Sequence, residues 1–286
     1  MTTTLPKSEL SNLSEPSEFS AFLQETAGLT KRLFIQLQRR PTTLIAGVIQ
    51  PLMWLVLFGA LFQNAPTGFF GPEVRYGQFL GAGVIVFTAF SGALNAGLPV
   101  MFDREFGFLN RLLVAPLTSR FSIVVASALY ITTLSLIQTI AILLVSSALG
   151  AGLPTATGLL LVLTIVLLLV LGVTALSLGL AFSLPGHIEL IAAIFITNLP
   201  LLFASTALAP LDFMPTWLQW LASLNPLSYA IEPIRFLYLH DSWQWSDIAI
   251  ATPFAEISIG GCLAILAGFC VTALLLIQPA LKRSLS

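Results

Sequence analysis

Residues 102–120 read FDREFGFLNRLLVAPLTSR, and the rest of the chain is organised around them. Asp103, Arg104, Glu105, Arg111 and Arg120 make this the densest group of charges between two long apolar segments. On a helix, Phe102, Phe106, Leu109 and Leu113 recur at i, i+4, i+7 and i+11 along one face. Asp103, Arg104, Asn110 and Arg111 fall largely on the other. Pro116 ends the pattern, because its ring clashes with the preceding turn and it has no N–H to donate. The spacing predicts a short amphipathic helix at a water interface, between two membrane spans.

Composition sets the class. Of the 286 residues 57% are hydrophobic and only 9% charged, with a mean hydropathy of +0.94. A soluble domain carries about 25% charged residues, so this chain reads as an all-α polytopic membrane protein. Its net charge of −1 offers no field for nucleic acid. Cys262 and Cys270 share one apolar run. On a single helix they lie about 12 Å apart, beyond disulfide reach, and read as helix-packing residues.

A membrane crossing needs about 20 apolar residues. Six runs meet this, at about 44–62, 78–100, 121–149, 158–184, 188–208 and 254–277. Residues 1–16, polar and holding Pro6 and Pro16, read as a disordered cytoplasmic tail, and no apolar core of a cleaved signal peptide follows them. Residues 17–40 form an amphipathic stretch with Lys31, Arg32, Arg39 and Arg40 near its end. It is either a helix lying in the headgroup layer or a solvated lead-in to the first span. Residues 41–286 make up the transmembrane domain. Ten of the twelve Lys and Arg lie in the N-terminal segment, the 102–120 loop and the C-terminal tail. The positive-inside rule therefore predicts both termini and that loop in the cytoplasm. Between spans five and six, residues 209–253 hold four tryptophans, including Trp217, broken up by Pro215, Pro226 and Pro233. This predicts an outer-face helical hairpin that dips into the membrane and returns.

Catalytic constellations are missing from the sequence. No G-x-x-x-x-G-K-[ST] phosphate loop occurs, since the lysines are only Lys7, Lys31 and Lys282. His187 and His240 fall on opposite predicted sides, so no metal site is expected. The first four spans hold no ionisable side chain of the kind that ion-coupled transport uses. Asn95 and Asn198, within spans, either hydrogen-bond between helices or line a translocation path. Anything this chain moves is expected to be driven from elsewhere.

The loop resembles the inner-loop signature of the ABC-2 type permeases, the membrane subunits of ATP-binding-cassette exporters. Asp103, Arg104, Glu105, Leu112, Leu113, Pro116, Ser119 and Arg120 match it, with Gly-Phe-Leu at 107–109 where many members have Gly-Thr-Leu or Gly-Thr-Phe. The outer stretch LAPLDFMPTWLQWLASLNPLSYAIEPIR is similar to a second family motif through Pro215, Trp217, Asn225, Pro226, Leu227, Tyr229 and Arg235. Here Ala204-Ser205-Thr206 stands where many members have Ser-Gly. In feel the chain resembles daunorubicin-resistance-type permeases and their cyanobacterial and plastid relatives. The resemblance implies a homodimer of six-span subunits, N-in and C-in, with two separate ATPase subunits that bind the ATP and Mg; this chain itself holds no cofactor. It implies that residues 102–120 act as the coupling helix seated in the ATPase, with the N-terminal helix nearby, and that substrate passes along spans two and five.

On this reading Phe102, Asp103, Arg104, Glu105, Phe106, Arg111, Pro116 and Arg120 transmit force. Arg104 and Arg111 meet either acidic or carbonyl groups of the ATPase or lipid phosphates. Asn225 and Pro226 cap and turn the outer helices, with Tyr229 and Arg235 as a gate. The cargo expected is an amphiphilic small molecule or lipid rather than a polysaccharide. A stand-alone carrier or channel is the alternative class. The membrane is the inner or plasma membrane, or the thylakoid if the source is photosynthetic.

Overall fold

The computed structural model describes residues 18–39, 41–61, 76–107, 121–148 and 153–285. Arg111, Pro116 and Arg120 lie outside the described residues, as does the tail at 1–16.

The described residues are mostly helical, with one small hairpin. Helix α1 (Glu18–Arg39) precedes α2 (Pro41–Leu61), which carries Pro51 in its interior. Then come α3 (Tyr76–Leu94), α4 (Gly97–Glu105), α5 (Phe121–Ala148), α6 (Ala156–Ser183) and α7 (His187–Phe203). A single 3₁₀ turn at Leu211–Phe213 leads to α8 (Thr216–Leu224) and α9 (Pro226–Leu239). Strands β1 (Ile248–Ala251) and β2 (Glu256–Ser258) pair antiparallel before α10 (Ile259–Leu285). Among the described residues, four stretches are long and apolar enough to cross a membrane: Phe79–Glu105, Phe121–Ala148, Ala156–Ser183 and Ile259–Pro279. Ile45–Leu61 and His187–Phe203 are shorter apolar helices. The protein is a multi-pass membrane protein.

Three sequence expectations are corrected. The described residues are mostly helical, as expected of an all-α membrane protein, but a small β-hairpin takes up residues expected in the sixth span, and α10 starts at Ile259 rather than at 254. Glu256 and the proline at 253 suit an interfacial turn better than a helix in lipid.

The second span is not one helix: it breaks at Asn95 and Ala96. Pro99 cannot donate back to the Asn95 carbonyl, which accepts from the Leu98 N–H instead (3.1 Å), and Ser177 of α6 serves two other groups that the turn leaves open. Its hydroxyl accepts from the Gly97 N–H (2.9 Å) and donates to the Leu94 carbonyl. A side chain at Gly97 would collide with the Ser177 carbonyl, so the close approach requires glycine.

The amphipathic helix expected to run through Phe102, Phe106, Leu109 and Leu113 ends at Glu105. Gly107 adopts a left-handed φ of 74° and donates to the Arg104 carbonyl, which stops the helix as glycine commonly does. Phe106 is 79% exposed, so it does not hold this element to the spans; its ring stacks on Phe102.

The core forms around α3 and α6. Helix α3 packs on α5, α6 and α9, and α10 lies along α6 in the most extensive helix pair. A cluster that includes Ile85, Val86, Ile165, Leu169, Ile231 and Leu266 is fully or almost fully buried. A second cluster at the end of the bundle near α4 joins Val100, Val124, Leu178 and Phe182, with Leu29 of α1 packed on it. Helix α1 therefore leans on the bundle through one face, and Phe34 meets Tyr130 of α5 edge-on at 5.3 Å. Phe19 and Leu23 stay exposed, as an interfacial helix requires.

Candidate functional site

Three consecutive residues at the end of α4 hold three different elements. Asp103 accepts a bidentate pair from Arg32 of α1, both distances 2.9 Å. Arg104 turns the other way and donates to the carbonyls of Ala181 (2.9 Å), Phe182 (3.4 Å), Leu184 and Pro185 (2.8 Å). These are the carbonyls that the C-terminus of α6 leaves without helical partners, and a cation there also faces the negative end of the helix dipole. Glu105 reaches the start of α7. Its carboxylate accepts from the His187 backbone N–H (2.6 Å) and pairs with His187 Nδ1. His187 opens α7, so its N–H has no partner within the helix, and Glu105 supplies the acceptor. A Cβ on Gly186 would sit 2.8 Å from Glu105 Oε1 and 2.9 Å from Glu189 Oε2. The Phe102 ring lies 5.3 Å from the His187 ring. The end of α4 is thus fastened to α1, to the exit of α6 and to the entry of α7.

The sequence reading placed Arg104 against a partner or a lipid. The structure instead has its guanidinium satisfied by carbonyls of its own chain. Arg32, Gly186 and His187 were missed as members of this group. Their signal in the sequence was slight: a cation in an amphipathic helix and a Gly-His pair behind Pro185.

At the other end of the bundle, the α8–α9 hairpin solves a related problem. Helix α7 has 17 residues, about 25 Å at 1.5 Å per residue, short of a full crossing. The chain that follows is irregular yet buried through Ser205, Thr206 and Ala207. Non-helical backbone at membrane depth needs protein partners for its polar groups, and side chains of the hairpin supply several. Asn225 caps α9 by accepting from Leu227 N–H (3.0 Å), and its amide donates to the carbonyls of Leu201 (2.7 Å) and Ala204. Arg235, only 7% exposed, donates to the Thr206 carbonyl (2.7 Å) and, at 3.4 Å, to that of Phe79. It pairs with Glu232, and its guanidinium carbon lies 3.6 Å from the centre of the Phe79 ring. Tyr229 donates to the Ser223 carbonyl and ties α8 to α9. Pro215 is the N-cap residue of α8, Pro226 opens α9, and Trp217 is exposed on the outer surface. Asn225, Tyr229 and Arg235 therefore serve as internal ties.

An open cavity of about 510 Å³ lies between α2, α3, α5 and α7. Asn95 and Asn198 both line it. They are joined through Ser91, whose hydroxyl donates to Asn198 Oδ1 (3.1 Å) and whose carbonyl accepts from Asn95 Nδ2 (2.7 Å). No group of three or more His, Cys, Asp or Glu suited to a metal occurs among the described residues.

A bundle of apolar helices with polar ties at both ends defines a helical multi-pass membrane protein. The chain belongs to the ABC-2 type transporter family, whose profile matches residues 24–239. It is 56% identical over 261 residues to the protein named transport permease ycf38 of Cyanophora paradoxa, covering 91% of this chain and 90% of that one. The protein of the same name from Porphyra purpurea is 54% identical over 264 residues, 92% and 91% of the two chains. A more distant relative is named as the doxorubicin resistance ABC transporter permease protein DrrC of Mycobacterium tuberculosis. It is 26% identical over 258 residues, 82% of this chain and 85% of that protein.

Proposed function

We propose that this chain is the membrane-spanning half of an ATP-driven exporter, worked by two separate ATPase subunits that bind the ATP and Mg. Two copies form the conduit. In this reading α2 and α7 complete a set of six crossings with both termini in the cytoplasm. The observation that carries it is the fastening of Asp103, Arg104 and Glu105 to α1, α6 and α7. An ATPase pressing on the loop beyond α4 would move the entry of α7 directly, through the Glu105–His187 contact. Helix α7 is suited to such movement, since its buried side is a single row of Leu190, Ile194 and Leu202. Ile191, Phe195, Ile196 and Leu199 are exposed along its remainder, an apolar face that supports contact with a second copy. The cargo is an amphiphilic small molecule or lipid, for which the cavity on α3 and α7 offers an apolar lining with amide groups.

The test is reconstitution with the partner ATPase in lipid vesicles. ATP hydrolysis and export should depend on both proteins, and Glu105→Ala should uncouple export from hydrolysis while the chain still inserts. Export by this chain alone without ATP would instead make it a stand-alone carrier, and unchanged coupling in Glu105→Ala would remove the transmission route.

A further inference from the structure

A second groove, of about 510 Å³, opens between α1, α4 and α5. Leu33 and Leu37 of α1 face Leu98 and Phe102 of α4 across it, and these make its apolar wall. Pro99 and Tyr130 line both this groove and the cavity on α3 and α7, and so form the wall between the two spaces. The groove exists because α1 touches α5 at one point here, the edge-on contact of Phe34 with Tyr130. Arg32, Gln36 and Arg39 recur at i, i+4 and i+7 and share one face of α1. Gln36 and Arg39 line the groove, as does Asp103. The Asp103 carboxylate is taken by both guanidinium nitrogens of Arg32 at 2.9 Å, so that pair is neutral. Arg39, exposed in the last turn of α1, has no ion-pair partner among the described residues. The described lining is therefore positive at its polar edge and apolar beneath it.

Position and charge together choose the occupant. A groove under an interfacial helix of a membrane protein opens onto lipid head groups and the acyl chains below them. A free phosphate would meet one exposed cation, a contact worth little in water, and would leave Leu33, Leu37, Leu98 and Phe102 wet. A lipid covers those side chains as well. A cationic amphiphile would be repelled by Arg39, and a zwitterionic lipid would bring a cation of its own beside it. We propose that this groove binds an anionic phospholipid, with its phosphate on Arg39 and the Gln36 amide and the start of an acyl chain against Leu37, Leu98 and Phe102. Bound there, the lipid wedges between α1 and α4 next to Asp103 and holds the N-terminal helix on the bundle. The site does not depend on the exporter reading.

Photo-crosslinking of the full chain in phosphatidylcholine nanodiscs tests this. The probe is a trace of phosphatidylglycerol with a diazirine early in its acyl chain, and labelled peptides are mapped by mass spectrometry. The expected result is labelling concentrated on residues 33–39 and 98–103, competed by plain phosphatidylglycerol but not by more phosphatidylcholine or by inorganic phosphate. Arg39→Gln should lower it about fivefold, the worth of one cation at a membrane surface, and Arg39→Lys should keep most of it. Leu37→Trp, which fills the apolar wall and leaves the charge in place, should lower it as well, and gel filtration of each variant reports whether it is folded. Lys31→Gln removes an exposed cation of α1 that is not part of the described lining, and should change nothing. Equal losses in Arg39→Gln and Lys31→Gln would mean a general attraction of a basic helix to an anionic surface and overturn the site. Unchanged labelling in Arg39→Gln, or equal competition by phosphatidylcholine, overturns it too, and competition by inorganic phosphate rejects the lipid as its ligand. The assay contains no ATPase and no ATP, so a failed exporter assay with intact labelling rejects the transport reading alone.

Discussion

Arg235 shows how much a single side chain contributes in this molecule. It lies among the Phe79 and Thr206 carbonyls, the Phe79 ring and Glu232, so its removal strands both a carboxylate and a carbonyl. Arg235→Ala should destabilise the protein by about 3–5 kcal/mol, the range for breaking one side of a buried ion pair. Arg235→Lys should recover only part, since an ammonium cannot serve several acceptors in a planar fork. Denaturant titration followed by circular dichroism measures both. Stability unchanged in Arg235→Ala would show the residue to be a free gate and not a tie. Asn225 works in the same manner on a smaller scale. Its loss should cost about 1 kcal/mol as a helix cap, and more through the Leu201 and Ala204 carbonyls that it also serves.

Whole helices are held in place by short polar contacts near their ends. Helix α1 meets the bundle through apolar packing on α5 and through the Arg32–Asp103 pair. That pair is partly exposed, so it should contribute about 0.2–1 kcal/mol, less than the packing. Its greater importance is positional, because it fixes α1 against the end of α4. Arg32→Asp and Asp103→Arg should each lower coupled ATP hydrolysis in the reconstituted complex, and the double swap should restore a good part of it. If the double swap is no better than the single changes, the contact does not orient α1. The break between α3 and α4 follows the same logic. Ser177 satisfies the Gly97 N–H and the Leu94 carbonyl that the Asn95–Ala96 turn would leave open, so the direction of α4 is set by α6 rather than by α3 alone.

For the molecule as a whole, the exposed face of α7 is the largest consequence still to be tested. If two copies meet there, a cysteine replacing Ile196 should give a disulfide-linked dimer under mild oxidation in the membrane. One replacing Leu190, which is buried against its own chain, should give none. Equal crosslinking at both positions would place the contact elsewhere. Membrane residence and the mainly helical build were legible in the amino-acid order, because hydropathy and helical period are local properties. The charges at 103–105 stood out as well, in a chain that is only 9% charged. The partners of those charges were not legible. Arg104 takes carbonyls 77 to 81 positions away, and Asp103 takes a cation 71 positions away. Backbone carbonyls leave no mark in the sequence, because every residue has one and only folding decides which go without a helical partner. Local chemistry was enough to tell that the chain crosses the membrane and which of its segments meet water. Only the packing of distant helix ends decided what those charged and amide groups hold.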